Sequence, residues 1–540
     1  MIHCFYYYFQ FMDSAETNIQ TNNPNNNLQE NEIDITTKYI CEHIDQSLII
    51  FCNPISGNQE GKKIIDTMNH YISKEKYRLV DYQYIKTKNQ YEPIKAVFFE
   101  LINKDDNMKG QKLLKHVSER CKLNKEKGLD EIYCKIKTLI AGGDGTVLSM
   151  IDSFVKNGID LEFCTFGHIP LGTGNDLSNS LGFSNHIDFS EGNMDDLYLI
   201  LLKYYKAKFG KVDIWKIDLQ LDPNEGEILM NHKEGKTPLK DENGNIIRRY
   251  IRSFINYVSL GYDARVGYNF DSKRSKSRNM NKCIYFLEGL KKICCRKTVP
   301  VSGFIENFTV YDSEENSVNQ ESFFSDNNKD IFNNNDIEEN NIQTETKQEH
   351  KINNIIDSSH KNSKIKFQFI PKKILSRYGN KNLEKHKCIV LSGEPCSIIF
   401  QNIFNYMSGV KDIWGNGKDH LSIKLKNATK EEEKKYTDKL LKMAEQKQRL
   451  DDKMLEVFTF DNGVKTGFEN VFKGFAKKVY HGRGPIEIKF SETPAYIKSD
   501  RENRIYFNLD GEYFHIVKPI LLKIELNRDY LGGQLPFLIS

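Results

Sequence analysis

Apolar residues along the chain follow two different rhythms. From Ser47 to about Leu181, short unbroken apolar runs alternate with stretches in which apolar residues recur every three or four positions. The stretch "SLIIFCNPISG" reads as a buried strand running into a turn, and "GKKIIDTMNHYI" after it reads as a helix. The same unit recurs in "TLIAGGDGTVLSMI": Thr138 to Ala141 form a short strand, and Val147, Met150, Ile151, Phe154 and Val155 lie at helical spacing. Strand and helix alternating through 181 predict a mostly parallel sheet covered by helices. From about 208 the period drops to two, in "KVDIWKIDLQL", "YIRSFINYVSLGYDA", "PIEIKF" and "RIYFNLDGEYFHIV". That pattern predicts a second, strand-rich domain.

Polar stretches interrupt both rhythms. Residues 13–36 are Asn-rich and bury too little apolar area to offset the entropy of ordering; order is expected to begin near Ser47. Residues 311–362 are acidic and Asn-loaded and read as a disordered insert in a surface loop. The stretch 427–450 mixes charges with strong helix formers and reads as an exposed helical insert. The division predicted is therefore 1–46 disordered, 47–205 an α/β domain, and 206–540 a strand-rich domain carrying both inserts.

Three turns at strand ends are unusually bare. Gly142, Gly143, Asp144 and Gly145 separate a strand from a helix, as do Asn53, Ser56 and Gly57 in "NPISG" and Gly172, Thr173, Gly174, Asn175 and Asp176 in "PLGTGND". Each by itself is most simply a tight turn with a helix cap. Together, at the carboxyl ends of strands in one α/β sheet, they face one crevice and offer amides and helix starts to an anion. A nucleotide fits that crevice.

These motifs in this order resemble the diacylglycerol kinases, within a superfamily that also holds sphingosine, ceramide and bacterial lipid kinases. The resemblance runs from about 47 to 517 apart from the inserts, through "NPISG", "GGDGTV", "PLGTGND", "VDIW" (212–215), "INYVSLGYDARV" (255–266), "SRNMNKCIYFLEG" (277–289), "DDKMLEV" (451–457) and "NLDGE" (508–512). Sphingosine and ceramide kinases typically carry SGDG and GSGN variants, so GGDGTV with GTGND leans toward diacylglycerol. The resemblance implies an ATP-binding α/β domain akin to NAD kinase and phosphofructokinase, packed on a β-sandwich with the active site in the cleft between them. It implies that Gly142, Gly143, Gly145 and Thr146 admit the triphosphate and Mg²⁺. Asn53, Ser56 and Gly57 would line one wall, Gly172, Thr173, Gly174, Asn175 and Asp176 the other, and Arg278 and Lys282 would reach the phosphates.

For the proton of the lipid hydroxyl, the resemblance offers Asp144, Asp510 and Glu512. Glu512 or Asp510 is favoured as the base, with Asp144 orienting Mg²⁺ or phosphate. Alone, "DGE" is more simply a hairpin turn. Asp451 and Asp452 resemble an acidic motif that holds a structural Mg²⁺ in some bacterial relatives, but Lys453 stands where Gly is usual and brings a cation close.

Composition narrows the partners. Lys plus Arg at 77 against Asp plus Glu at 74 leave a formal charge of +3, which favours neither nucleic acid nor an acidic solvating role. A local basic run, Lys273, Arg274, Lys276, Arg278, Lys282, Lys291, Lys292, Arg296 and Lys297, is either a solvated face or a contact for anionic lipid headgroups. The 11 cysteines show no paired zinc spacing, which favours reduced thiols inside a cell. The aromatic start "MIHCFYYYFQFM" lacks the features of a signal peptide, and no run of about 18 apolar residues occurs. The expectation is a cytoplasmic ATP- and Mg²⁺-dependent lipid kinase that meets the membrane peripherally and makes phosphatidic acid, with oligomeric state left open. A kinase of ceramide, a sphingoid base or a monoacylglycerol, and a non-catalytic lipid-binding scaffold, are the alternatives.

Overall fold

The computed structural model of the chain describes residues 35–540 except for 73–79, 82–92, 173, 185, 188, 233–234, 274, 276–279, 282, 285–286, 290–299, 312–364, 372–387, 392–394, 408–409, 417–428, parts of 432–444, and 492–504. The first sheet is built from β1 (Ser47–Cys52), β2 (Val80–Asp81), β3 (Lys95–Glu100), β4 (Ile136–Gly142), β5 (Cys164–Pro170) and β6 (Lys208–Asp213), together with the last strand of the chain, Gln534–Ile539. Its order is β2, β3, β1, β4, β5, the last strand, β6. From β3 to β5 every pairing is parallel. β1 is buried along its whole length, which is why it reads as an unbroken apolar run rather than an alternating one.

Helices cover this sheet. They include α1 (Ser56–Ile72), α2 (Lys104–Glu126), α3 (Asp144–Lys156), the short α4 (Asp176–Ser180) and the helix Met194–Tyr205. Local signals explain the ends of α2: the Asn103 side chain accepts the Asp106 amide, Asp105 and Asp106 occupy the first turn, and Lys125 lies in the last. Ile50, Phe51, Leu114, Val117, Ile140, Ile151, Phe154 and Phe166 meet in one core between helices and sheet.

Two strands of this sheet come from stretches that the period-two pattern assigned to the second domain. β6 pairs antiparallel with the last strand, and Phe537 of that strand sits opposite Phe166 of β5, their ring centroids 5.9 Å apart. Alternation identifies a strand but does not say which sheet it joins. Order also begins before Ser47. Residues 35–42 are helical, and Ile40 and Ile44, one helical turn apart, are buried in the first core. The expectation of disorder through 46 is therefore corrected over 35–46, where these isoleucines anchor an otherwise polar stretch; 1–34 lie outside the described residues.

Among the described residues, the rest of the chain forms a seven-stranded sheet, an eight-stranded sheet and a small two-stranded one. Trp215, Ile217, Ile488, Leu522 and Ile524 from one, and Val258, Ile398, Val457, Phe507 and Phe514 from the other, share a second hydrophobic core. The 311–362 insert falls almost wholly outside the described residues; it connects Ile305–Tyr311 to Ile365–Pro371, which pair antiparallel as the arms of a hairpin do. In the 427–450 stretch, the described residues Lys430, Glu431, Lys434, Asp438, Lys442 and Glu445 are helical and exposed. Among the described residues no helix is long and apolar enough to cross a membrane.

Phe537 lies only a few residues from the end of the chain yet is fully buried. Phe537→Ala is expected to lower stability by about 3–5 kcal/mol, the cost of emptying a core phenylalanine site. Urea unfolding measures this, and a loss below about 1 kcal/mol would show that the last strand frays as chain ends commonly do.

Candidate active site

The three bare turns converge. After β1, the Asn53 amide donates to the Ala141 carbonyl of β4 at 2.9 Å, and the Asn53 side chain accepts the Ile55 amide at 3.2 Å, which closes the turn. Gly57, at φ +65°, comes so near the next turn that a Cβ there would fall 2.5 Å from the Leu171 carbonyl oxygen. The Leu171 amide donates to the Gly142 carbonyl at 2.8 Å. A Cβ on Gly172 would fall 2.8 Å from the Gly143 Cα. Nothing larger than glycine fits at Gly172 without a shift of the backbone. The carboxyl ends of β1, β4 and β5 thus share one backbone surface, onto which α1 and α3 open. At the start of α1, the buried Ser56 hydroxyl has no hydrogen-bond partner among the described residues.

Several of the polar residues singled out in these turns hold the turns themselves. Asn175, in the left-handed conformation, accepts the Gly172 amide at 2.9 Å and donates to the Gly172 carbonyl at 2.8 Å. Asp144 accepts the Asp176 amide at 3.0 Å on one carboxylate oxygen and the Leu177 amide at 3.2 Å on the other. Its carboxylate therefore caps α4 from a separate element and ties "GGDGT" to "GTGND". His168 lies beneath, with Nε2 3.1 Å from the Gly142 carbonyl oxygen and Nδ1 3.6 Å from Asp144 Oδ1. Burial lowers the His168 pKa, more than the nearby Asp144 charge raises it. Asp176 is buried, and its carbonyl accepts from the Asn405 side chain at 3.3 Å. Thr146 is buried beside Gly142, and Gly174 is partly exposed. Thr173, Arg278 and Lys282 lie outside the described residues.

The "LDGE" motif is a hairpin and at the same time part of the site. Leu509 and Glu512 face each other across a two-residue turn, in which Asp510 and Gly511 both have positive φ, as a type I′ turn requires. The Asp510 carboxylate turns back and accepts three consecutive amides, Ile255 at 2.8 Å, Asn256 at 2.9 Å and Tyr257 at 3.0 Å. Burial pushes its pKa up to about 7, against the pull of those amides toward the charged form. Glu512, the first residue of the returning strand, places its Oε1 3.7 Å from where a Cβ on Gly145 would stand. The Arg252 guanidinium is 3.8 Å from the same oxygen. Buried Asn402 supports the 255–257 turn from behind, donating to the carbonyls of Ile255 at 2.7 Å and Asp213 at 2.8 Å and accepting from the Trp215 indole at 3.0 Å.

Asp451 and Asp452 do not form a metal cluster. Asp451 is exposed and accepts from Arg449 at 3.1 Å, while Asp452 accepts the Met454 amide at 3.0 Å. Lys453, which follows them, has φ +59° and donates its amide to buried Asp213, whose pKa burial pushes up to about 7. Among the described residues no group of three His, Cys, Asp or Glu side chains is placed to hold a metal ion. Arg252, His168, Asn402, Asn405 and Asp213 were not singled out from the sequence. A signal existed for some of them: His168 in "TFGHIPL" and Asn402 in "IIFQNIF" are polar residues inside apolar runs, and a buried polar group needs partners.

Comparison with known proteins agrees with this geometry. The family model for the diacylglycerol kinase catalytic domain matches residues 47–199, and that for the diacylglycerol kinase accessory domain matches 253–513. Among curated relatives, diacylglycerol kinase 3 of Arabidopsis thaliana is 25% identical over 260 residues, 44% of this chain and 47% of that protein. Diacylglycerol kinase 1 of Oryza sativa subsp. japonica is 26% identical over 267 residues, 45% of this chain and 48% of that protein. The chain thus spans about half the length of these curated relatives. A solved diacylglycerol kinase from Bacillus anthracis str. Sterne aligns over 92% of this chain and 97% of its own at 11% identity, with a TM-score of 0.34. The catalytic and accessory domain models of one family match 47–199 and 253–513, and the chain belongs to the diacylglycerol kinase family.

Proposed function

We propose that the chain transfers the γ-phosphate of ATP to the free hydroxyl of diacylglycerol, giving phosphatidic acid. In this reading 47–205 is the nucleotide-binding domain, 206–540 contributes a β-sandwich, and the active site is the cleft between them. The observation that carries it is the meeting of Glu512 with the glycine turn at Gly145, since it sets a carboxylate beside a backbone surface suited to phosphates.

The residues present fit a nucleoside triphosphate. The start of α3 at the bare Gly143–Gly145 turn and the buried Ser56 hydroxyl suit phosphate oxygens, and the close backbone approach of Gly143 and Gly172 leaves no side chain in the way. Mg²⁺ would supply neutralisation of phosphate charge, held mainly by the phosphates themselves, as is usual for this ion. Of the three candidate carboxylates, Asp144 and Asp510 accept backbone amides on both carboxylate oxygens, whereas Glu512 pairs with the Arg252 guanidinium at 3.8 Å beside Gly145. This supports Glu512 as the base. It takes the proton of the lipid hydroxyl as that oxygen bonds to the γ-phosphorus, while the bond from γ-phosphorus to the bridging oxygen breaks and ADP leaves. Asp144 and Asp510 then act as positioning residues, fixing the two turns that meet there.

Contact with the membrane surface is part of the same reading, because diacylglycerol resides there. Leu287 and Met280 are 58% and 54% exposed, and they lie within the locally basic segment 273–297. Apolar side chains among cations suit the headgroup region of an anionic bilayer, where each cation is worth about 1 kcal/mol.

Labelled γ-phosphate transfer in mixed micelles tests the activity. Wild type is expected to make phosphatidic acid, with Glu512→Gln slower in kcat by about 10²–10⁴-fold and unchanged in thermal midpoint. Transfer to ceramide or monoacylglycerol in preference to diacylglycerol would overturn the substrate assignment. In vesicle sedimentation, binding is expected to require phosphatidylserine, to weaken as salt rises, and to fall on Leu287→Asp. Equal binding to vesicles of phosphatidylcholine alone would reject the anionic surface.

A further inference from the structure

Strand Arg249–Phe254 runs along the edge of its sheet, and its alternation decides what reaches the site. Ile251 points to solvent at 56% exposure, so Tyr250 and Arg252, on the opposite face, point inward. The Tyr250 ring packs edge-on against Phe514, two residues beyond Glu512, with centroids 5.9 Å apart. Arg252 donates to the Tyr250 hydroxyl at 3.4 Å and holds its Nη2 3.8 Å from Glu512 Oε1. Its charge also acts on Asp152 of α3, the helix that begins in the glycine turn. Asp152 in turn accepts from the Tyr530 hydroxyl. One guanidinium therefore stands between a carboxylate of the glycine-turn helix and the carboxylate that lies over Gly145.

We propose that Arg252 is a positioning residue for phosphoryl transfer, keeping the Glu512 carboxylate aimed over the glycine turn. Tyr250 and the charge of Asp152 keep the guanidinium from following Glu512 into the site. The guanidinium attracts the carboxylate toward one orientation without touching lipid or nucleotide. It also limits the rotamers open to a half-exposed Glu, and misplacing a catalytic group by about 1 Å costs on the order of 10²-fold in rate. This rests on the reading of Glu512 as the base.

Wild type, Arg252→Lys, Arg252→Gln, Glu512→Gln and the double variant Arg252→Gln with Glu512→Gln separate the possibilities, each assayed for kcat, KM for ATP and thermal midpoint. Arg252→Gln is expected to lose about 10²-fold in kcat with KM for ATP and thermal midpoint near wild type. Arg252→Lys keeps the charge and should recover most of the rate. The double variant should match Glu512→Gln, since the arginine acts through that carboxylate.

Wild-type rate in Arg252→Gln beside an inactive Glu512→Gln would overturn the positioning role and leave the base in place. A loss confined to KM for ATP would overturn it too, making Arg252 a phosphate-binding group. Wild-type rate in Glu512→Gln would remove the base and the proposal with it. If Arg252→Gln does not fold, Arg252→Lys decides: a wild-type thermal midpoint with a 10²-fold loss of kcat would overturn the claim that a cation suffices.

Discussion

The Asp510 carboxylate, accepting the amides of Ile255, Asn256 and Tyr257 together, is the interaction on which the arrangement of the site depends. Those three amides begin strand Tyr257–Gly261, and Asp510 sits in the turn that ends Ile505–Leu509, which pairs with it. The side chain therefore locks the hairpin tip onto the neighbouring strand, and Glu512 emerges from a turn that has little freedom to move. Without such a partner, three buried amides would each carry the cost of an unmade hydrogen bond. The same turn is held from behind by Asn402, whose amide group reaches the carbonyls of Ile255 and Asp213. Asp213 ends β6, so this bond set also joins the first sheet to the others.

A similar economy governs the glycine turns. Asp144 holds the start of α4, Asn175 holds Gly172, and the Gly142 carbonyl takes both the Leu171 amide and the His168 ring. Short polar side chains close the loops from the side, and the backbones of Gly143 and Gly172 approach with no side chain between them. This division of labour suits phosphoryl transfer, in which the protein mainly positions its partners and neutralises charge. It also explains why residues that resemble catalytic groups in a motif can be structural in place: an amide-bound carboxylate has fewer lone pairs free for a substrate proton.

The last strand gives the fold its closure. Gln534–Ile539 enters the first sheet between β5 and β6, so the chain crosses into the second and third sheets and returns. The Tyr530 hydroxyl bonded to Asp152 and the Gln534 side chain bonded to Asp213 extend that return to α3 and β6. The strands carrying Glu512 and Arg252 are thereby tied to the helix that begins at Asp144 by side-chain contacts as well as by the chain itself.

Much of this was legible in the residues. Unbroken apolar runs against period-two alternation separated the parallel sheet from the antiparallel ones, because strands buried on two faces and on one face need different patterns. The three glycine turns and "LDGE" announced themselves because few residue types tolerate close backbone approach or positive φ. Periodicity could not say that β6 and the last strand join the first sheet, since sheet membership depends on pairing between distant segments. Nor could it say which carboxylate stays open. Asp144, Asp510 and Glu512 are equivalent as letters, and only the folded chain brings amides to the first two and leaves the third above Gly145 beside Arg252. Local sequence sets which conformations a segment can adopt, and long-range packing decides which of its polar groups already have a partner.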